Sequence, residues 1–184
     1  MKRIAILSSS VRNGRLSHRV ALYLKRFLEE YRLVETEILD LKAYDFPLFE
    51  ERLVYQPEPS EKLIDFTERL NRSDGLIIVT PVYNASFPAA LKNVIDLYYA
   101  EWKRRLVGVV SVTSGKMAGI ATVQEVQALM LKLGAFVVPG LSTVIEVEKN
   151  FSPEGEALDK KAAGQFLQPM TEELLWMVDR CADR

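Results

Sequence analysis

The chain has 184 residues, of which 48% are hydrophobic and 27% are charged, as is ordinary for a globular protein. This length predicts one domain over residues 1–184, long enough to bury a hydrophobic core. The net charge of −1 argues against nucleic acid or an anionic membrane surface as a partner. Because Cys181 is the single cysteine, an intrachain disulfide and a cysteine metal cluster are both excluded, and no metal site is predicted.

No apolar run reaches ~18 residues, so no membrane span is predicted. The N-terminal "MKRIAILSSS" begins like a signal peptide. However, its apolar run is too short and polar residues follow at once. A cytoplasmic location is therefore expected.

The first half of the chain alternates between strand and helix patterns. Residues 3–8 form an apolar run typical of a buried strand, and residues 16–31 carry apolar side chains at helical spacing. A second strand is predicted over 34–41 and an amphipathic helix over 61–73. The long connection between them, residues 42–59, predicts a functional or packed loop.

The second half repeats the alternation. Pro88 marks a helix start and Gly134 a helix end. The predicted strands are 75–81, 106–114 and 135–147, the last with a candidate break at Pro139-Gly140. The predicted helices are 88–102, 119–134 and 156–182, with Pro169 as a kink or restart.

Strands that alternate with helices predict a doubly wound α/β fold, with five parallel strands and helices on both faces. Ligands of such sheets bind at the carboxyl ends of the strands, beside the point where strand order reverses. Three loops lie there: residues 8–17, 80–88 and 113–119.

The first loop, within "SSSVRNGRLSHRV", combines hydroxyls and guanidiniums just before a helix. Unpaired N–H groups at a helix N-terminus favour an anion, and an arginine can fork onto two phosphate oxygens. The alternative is a solvated turn in which Ser10 or Ser17 merely caps the helix. The loop contains neither GxxxxGK[ST] nor GxGxxG, which disfavours a nucleoside triphosphate or a dinucleotide.

The second loop, within "TPVYNASFPAALKNVID", offers Tyr83 as a flat face and Asn84 as an amide partner, although Tyr83 is alternatively a core residue. The third loop, "TSGKMAG", contains glycines that allow close backbone approach, although it is alternatively a simple turn. Together the three loops indicate a ligand with a phosphate at one end and a flat heteroaromatic ring at the other. FMN fits this description.

The same segments resemble the NAD(P)H-dependent FMN reductase family, which includes quinone, azo-dye and chromate reductases. "TPVYNASFPAALKNVID" resembles the family pattern TPEYN-x-S-x-P-x-x-LKN-x-ID, and "SSSVRNGRLSHRVA" resembles its phosphate loop, GS-x-R-x-G…VA. "SVTSGKMAG" and "LGAFVVP" resemble the fourth-strand loop and the approach to strand five. Val82 stands where the family usually has glutamate, and Ser9 where it has glycine. The resemblance implies a flavodoxin-like fold with strand order 2-1-3-4-5.

The resemblance also implies which residues bind FMN. The implied phosphate contacts are Ser10, Arg12, Arg15 and Ser17, with His18 as a further candidate. The implied ring contacts are Pro81, Val82, Tyr83, Asn84, Thr113, Ser114, Gly115 and Lys116.

The flavin would carry the chemistry, so no catalytic side chain is predicted. NAD(P)H is the implied reductant, and a small quinone, azo compound, metal ion or flavin is the implied acceptor. The alternative is a flavodoxin-type electron carrier, although the chain lacks the Thr-x-Thr-Gly-Asn-Thr phosphate pattern and a strongly acidic surface. A receiver-like signalling module would need acidic residues where the chain has Ser8–Ser10 and Thr80–Pro81.

Helix 88–102 is predicted to carry more apolar surface than one sheet-facing stripe requires. Such a surplus beside a ligand loop typically marks an interface, and the resemblance implies an oligomer. A homodimer or homotetramer is therefore expected. The apolar side chains concerned are Val94, Ile95, Leu97, Tyr98, Tyr99 and Trp102.

Overall fold

The structure, a computed structural model, describes residues 1–32 and 34–182. Its centre is a parallel sheet in the order β2-β1-β3-β4-β5, which confirms the predicted order 2-1-3-4-5. A further short strand, β6, also pairs with β4. The strands are β1 (Arg3–Ser8), β2 (Glu35–Asp40), β3 (Gly75–Pro81), β4 (Leu106–Val112), β5 (Phe136–Val137) and β6 (Ser142–Val144).

Helices cover both faces of this sheet, as predicted. They are α1 (Ser17–Arg32), α2 (Leu41–Tyr44), α3 (Glu61–Asn71), α4 (Ala89–Leu97), α5 (Ile120–Lys132), α6 (Val147–Asn150) and α7 (Lys160–Ala182). Helices α1 and α7 pack in one apolar cluster with Ile4 and Ile6 of β1, whereas α3, α4 and α5 pack in a second cluster with Ala5 and Leu7. Neighbouring residues of a strand point to opposite faces, which explains why β1 is apolar throughout. No helix in the described parts of the chain is both long and apolar enough to cross a membrane.

The predicted helix 88–102 is wrong beyond Leu97. Tyr98 is extended, and a short 3₁₀ turn over Ala100–Trp102 follows. This break lets Trp102 enter the core, where its indole N–H donates to the Ile95 carbonyl over 3.0 Å. Of the six apolar side chains taken as surplus, Tyr99 alone is exposed and the others are buried in the chain's own core. The helix therefore offers no such interface.

The predicted strand 135–147 is wrong as one element. Residues 136–137 pair with the start of β4 and residues 142–144 with its end, and Gly140 adopts a φ of 93° between them. The chain then turns into α6, which the sequence pattern did not predict. The predicted strand 106–114 ends at Val112, so Thr113 and Ser114 belong to the loop that follows.

The last predicted helix starts at Lys160 rather than at residue 156, and it runs through Pro169 without restarting. In the segment before it, Gly155 adopts a φ of 79° and lies so close to α1 that a Cβ there would be 2.4 Å from the Leu22 Cβ. The long connection 42–59 is ordered in part, by α2 and by a 3₁₀ turn over Leu53–Tyr55.

Candidate functional site

A cleft of about 730 Å³ lies at the carboxyl ends of β1, β3 and β4. All three loops predicted from the sequence contribute to its wall, together with the first residues of α5 and α6. This is the position at which doubly wound sheets bind their ligands. The volume is within the usual range for a small-molecule or cofactor site.

The first loop forms the cationic end of the cleft. Arg12 is exposed there, and its guanidinium makes no hydrogen bond or ion pair with any residue that the structure describes. Ser17, the first residue of α1, has a buried hydroxyl that finds no partner among the described residues. The first-turn N–H groups of a helix also lack intrahelical partners. An unpaired cation, an unpaired hydroxyl and a helix N-terminus together fit an anion such as a phosphate.

Arg15 also lines the cleft, but its charge is already paired. Its Nη2 donates to Asp40 Oδ2 over 2.6 Å, its Nη1 contacts Asp40 Oδ1, and the same Nη1 donates to the Ser10 carbonyl over 2.8 Å. The pKa of the Asp40 carboxyl is lowered, because the hydrogen bonds and charge of Arg15 outweigh the opposing effect of burial. The guanidinium is thus held against the loop.

His18 is not among the residues that line the cleft. Its Nδ1 lies 2.9 Å from the Ser8 hydroxyl, within hydrogen-bond distance. Burial lowers the pKa of the imidazole, and the nearby Arg15 lowers it further, against a smaller opposing effect of Asp40. A lowered pKa leaves the ring neutral at pH 7. His18 therefore supplies no positive charge to the cationic end.

The second loop is a tight hairpin. Tyr83 and Ser86 exchange two backbone hydrogen bonds, of 2.8 and 3.0 Å. Asn84 and Ala85 between them have φ angles of 51° and 63°. Positive φ is favoured for glycine and costs other residues about 1 kcal/mol or more, so the surrounding contacts must hold this turn. From α5, Thr122 contacts the Ala85 carbonyl at 3.4 Å, and the Ser86 hydroxyl donates to Glu125 over 2.6 Å.

The hairpin is also joined to the first loop. The Tyr83 hydroxyl lies 2.7 Å from that of Ser10, which is fully buried. Tyr83 lines the cleft whereas Ser10 does not. The Ser10 hydroxyl, for which the resemblance implies a phosphate contact, thus pairs with Tyr83 in this structure, and the bond links the first loop to the hairpin.

The third loop is braced by its own backbone and by the turn that precedes α6. The Thr113 hydroxyl lies 3.1 Å from the Gly115 carbonyl and 3.0 Å from that of Met117. Glu146 donates its backbone N–H to the same Gly115 carbonyl over 2.9 Å. Lys116 is exposed and stands outside the cleft wall. A short loop held at several points is a rigid surface for a ligand.

Gly119, directly before α5, lets this helix approach the ends of the strands. A Cβ at Gly119 would lie 2.4 Å from Val82 Cγ2 and 2.7 Å from Ser111 Oγ, closer than real Cβ atoms come. No side chain caps α5 at this position. The N-terminus of α5 therefore forms part of the cleft wall, as does that of α1.

The structure brings most of the predicted site residues together. Those lining the cleft are Arg12, Arg15, Ser17, Pro81, Val82, Tyr83, Thr113, Ser114 and Gly115. Four others stand outside its wall: Ser10, His18, Asn84 and Lys116.

Sequence reasoning missed several lining residues. Gly119 and Thr122 could have been predicted, because the sequence places a helix start there, after a strand whose carboxyl end faces the site. Val147 and Glu148 of α6 had no such signal, because their segment was predicted as strand. Asp40 does not line the cleft but pairs with Arg15, and it was also missed although it ends β2.

The cleft therefore suits an organic ligand with an anionic group at one end, and the described residues include no cluster of His, Cys, Asp or Glu that would hold a metal ion. Serine and arginine donors meet at the cationic end, the other lining residues are mainly aromatic, aliphatic or glycine, and Glu148 is the one acidic side chain among the described lining residues. This donor set fits a mononucleotide cofactor such as FMN. A protein with such a site would bind and orient the cofactor, and the cofactor would supply the redox chemistry.

Comparison with known proteins finds relatives among FMN reductases and quinone reductases. Residues 2–149 match the family model of NADPH-dependent FMN reductases. The chain is 29% identical over 158 residues to an NAD(P)H-dependent FMN reductase of Saccharomyces cerevisiae, covering 79% of this chain and 82% of that protein. It is 30% identical over 135 residues to a quinone reductase of Pseudomonas putida, covering 71% of this chain and 70% of that protein.

A solved structure shares the fold. FerB, a flavoenzyme NAD(P)H:(acceptor) oxidoreductase of Paracoccus denitrificans, superposes with a TM-score of 0.81 at 22% identity, over 98% of each chain. The family match covers all three loops of the cleft. The chain therefore belongs to the NADPH-dependent FMN reductase family, whose members are flavin-dependent oxidoreductases.

Proposed function

We propose that this protein binds FMN in the cleft with its phosphate at Arg12 and Ser17, takes reducing equivalents from NAD(P)H, and passes them to a quinone. The observation that supports this most directly is the pair of unpartnered groups at the cationic end. Arg12 has a free guanidinium, and Ser17 has a buried hydroxyl without a partner among the described residues. A buried hydroxyl without a hydrogen bond is unfavourable, and a phosphate oxygen would satisfy it.

At the other end, Tyr83 and the backbone of residues 113–115 would hold the flavin ring. Tyr83 would supply a flat apolar face, and the third loop would supply the backbone N–H groups of Ser114 and Gly115, because the Thr113 N–H already donates to the Val144 carbonyl. When bound, FMN supplies the hydride transfer itself. Asn84 lies within the hairpin turn, with a φ of 51°. The pKa of the Glu146 carboxyl is lowered mainly by its hydrogen bond with Lys149, and Lys116 contributes a smaller electrostatic effect.

The quinone assignment draws support from relatives named quinone reductase. An open cleft also lets the reductant and the acceptor use the same ring face in turn. Azo compounds, metal ions and free flavin would reach the same face, and they belong in the acceptor panel. Because NAD(P)H is an intracellular metabolite, the proposal includes a cytoplasmic location.

We also propose a homo-oligomer, formed through a surface other than the one that the sequence pattern indicated. Leu48, Val54, Tyr55 and Tyr99 are large apolar side chains that are each more than half exposed. Arg52 lies over the Tyr99 ring at 4.9 Å and connects the long loop to this residue. We call these four side chains the Leu48–Tyr99 patch. Exposed apolar patches of this kind favour association with a second copy.

The redox function is tested by anaerobic mixing of the FMN-loaded protein with NADPH or NADH. Rapid bleaching of the flavin absorbance, followed by reoxidation with a benzoquinone, is the expected result. A protein that bleaches only when a separate reductase is added would instead be a flavodoxin-type carrier. A protein that gains no flavin absorbance on incubation with FMN would contradict the cofactor assignment for this chain.

A further inference from the structure

Arg15 and Asp40 form a two-point ion pair at the cationic end of the cleft. Both terminal nitrogens of the guanidinium contact the carboxylate, and Nη1 also donates to the Ser10 carbonyl. The pair is largely enclosed, since the exposed fractions of the two side chains are 13% and 20%. A forked pair in such surroundings holds the guanidinium in one orientation.

The register of the sheet places Asp40 at this point. β1 and β2 run in parallel with Ser8 opposite Asp40, so both strands end at the same level. Asp40 also accepts a hydrogen bond from the Lys42 backbone N–H, which caps α2. The Lys42 ammonium in turn donates to the Asn13 side-chain oxygen over 3.0 Å. Two contacts therefore hold the first loop against the corner between β2 and α2: Arg15 with Asp40, and Asn13 with Lys42.

We propose that Asp40 is a positioning residue for cofactor binding, which acts through Arg15 to hold residues 10–15 so that Arg12 and the start of α1 face the FMN phosphate. Asp40 does not line the cleft. Arg12, whose guanidinium has no partner among the described residues, is the phosphate ligand, whereas Arg15 lines the cleft with its charge paired and holds the loop through the Ser10 carbonyl and Asp40. This inference rests on the phosphate position given in the proposed function.

A different role for the ion pair predicts the opposite change in FMN affinity. If Arg15 were itself a phosphate ligand that Asp40 restrains, removal of the Asp40 charge would release Arg15 toward the phosphate. FMN would then bind as tightly as before, or more tightly. The two roles are therefore distinguished by the direction of one change in affinity.

The test is Asp40→Asn, which keeps the size and the cap on Lys42 but removes the charge. Dissociation constants for FMN and riboflavin are measured by flavin fluorescence quenching. Without the Asp40 charge the loop is expected to be less ordered, so FMN must order it on binding. The entropic cost of fixing the backbone of one residue corresponds to a loss of FMN affinity of about 5- to 30-fold. Riboflavin lacks the phosphate, so its affinity should change less than about 2-fold.

The matched control is Glu37→Gln on the same strand. Glu37 pairs with Arg69 and Arg72, and its side chain is 19% exposed, close to the value for Asp40. It does not line the cleft. A general loss of stability would affect both variants alike, whereas the ratio of FMN to riboflavin affinity should fall in Asp40→Asn alone.

A double variant tests whether Asp40 acts through Arg15. Arg15→Ala combined with Asp40→Asn should bind FMN no more weakly than Arg15→Ala alone. If Asp40→Asn fails to fold, Lys42→Ala loosens the same loop at Asn13, and a smaller selective loss of FMN affinity is expected.

Unchanged or tighter FMN binding by Asp40→Asn, or equal losses for FMN and riboflavin, would overturn the inference. If Lys42→Ala has to replace Asp40→Asn, an unchanged ratio of FMN to riboflavin affinity in Lys42→Ala would also overturn the inference. A wild-type protein that binds FMN no better than riboflavin would instead contradict the phosphate position in the proposed function, whatever the variants do.

Discussion

The hydroxyls of Ser10 and Tyr83 lie 2.7 Å apart and join two loops that are 73 positions apart in the chain. Ser10 belongs to the loop after β1 and Tyr83 to the hairpin after β3. One hydrogen bond therefore couples the cationic end of the cleft to the end assigned to the flavin ring.

Tyr83→Phe removes this bond and keeps the aromatic face. A hydrogen bond between neutral groups contributes about 0.5–1.5 kcal/mol, so FMN affinity is expected to fall about 2- to 12-fold. Tyr83→Ala should lower it further, because the ring is lost as well. Flavin titration measures both changes. Tyr83→Ala must leave the melting temperature of the cofactor-free protein nearly unchanged, since a large drop would place Tyr83 in the core instead.

Arg12→Ala removes the free guanidinium at the cationic end. A hydrogen bond to a charged group contributes roughly 1.5–3 kcal/mol, so FMN should bind about 10- to 150-fold more weakly. Riboflavin should lose far less affinity. Arg180→Ala, an arginine of α7 outside the cleft, is the matched control and should bind both flavins as the wild type does. Equal losses of FMN and riboflavin in Arg12→Ala would indicate a collapsed loop and not a lost phosphate ligand.

His18 should control how stability changes between pH 5.5 and 7. It is the single histidine of the chain, and its pKa is lowered from 6.5 by burial and by Arg15. Below pH 6.5 the unfolded state therefore binds more protons than the folded state, so the free energy of unfolding decreases as the pH falls. The slope is at most about 1.4 kcal/mol per pH unit.

Urea unfolding of the cofactor-free protein at several pH values measures this slope. In His18→Asn the free energy of unfolding should change little between pH 5.5 and 7. Acid unfolding below pH 4 should be unaffected, because carboxylates titrate there. A wild-type protein whose stability does not change between pH 5.5 and 7 would contradict the lowered pKa.

Gly119→Ala and Gly115→Ala form a matched pair in one loop. A Cβ at Gly119 would overlap Val82, whereas a Cβ at Gly115 meets nothing within 4 Å. Overpacking costs typically about 1–3 kcal/mol, so Gly119→Ala should lower the melting temperature of the cofactor-free protein. Gly115→Ala should leave it nearly unchanged and weaken FMN binding, because the added methyl group occupies the cleft. Equal melting temperatures for the two variants would show that α5 shifts to make room at Gly119.

The proposed oligomer is tested by light scattering at micromolar concentration. The wild-type protein should have at least twice the mass of one chain, and Leu48→Asp combined with Tyr55→Asp should shift it toward the monomer. Leu131→Asp is the control, because Leu131 is 59% exposed on α5, outside the Leu48–Tyr99 patch. A monomeric mass for the wild type would contradict the oligomer, and an unchanged mass in the double variant would place the interface elsewhere.

Local patterns in the sequence were sufficient to predict the sheet and the three ligand loops. Apolar runs such as residues 3–8 and 75–81 can be buried on both faces only in a covered parallel sheet, and the helices between them leave few possible topologies. The loops follow because parallel strands present their carboxyl ends at one edge. The sequence also shows which residues follow each strand: serines and arginines follow one strand, and a tyrosine follows another.

Tertiary contacts decided which of these residues are available to a ligand. Arg12 and Arg15 look equivalent in the sequence, but the register of β1 and β2 brings Asp40 to Arg15, whereas Arg12 has no partner among the residues that the structure describes. The end of α4 at Leu97 depends on a core position for Trp102, and residues 142–144 reach β4 only after a turn at Gly140. These contacts join residues that are far apart in the chain. Local propensity and periodicity depend only on neighbouring residues, so they do not predict such contacts, and only the folded structure reveals them.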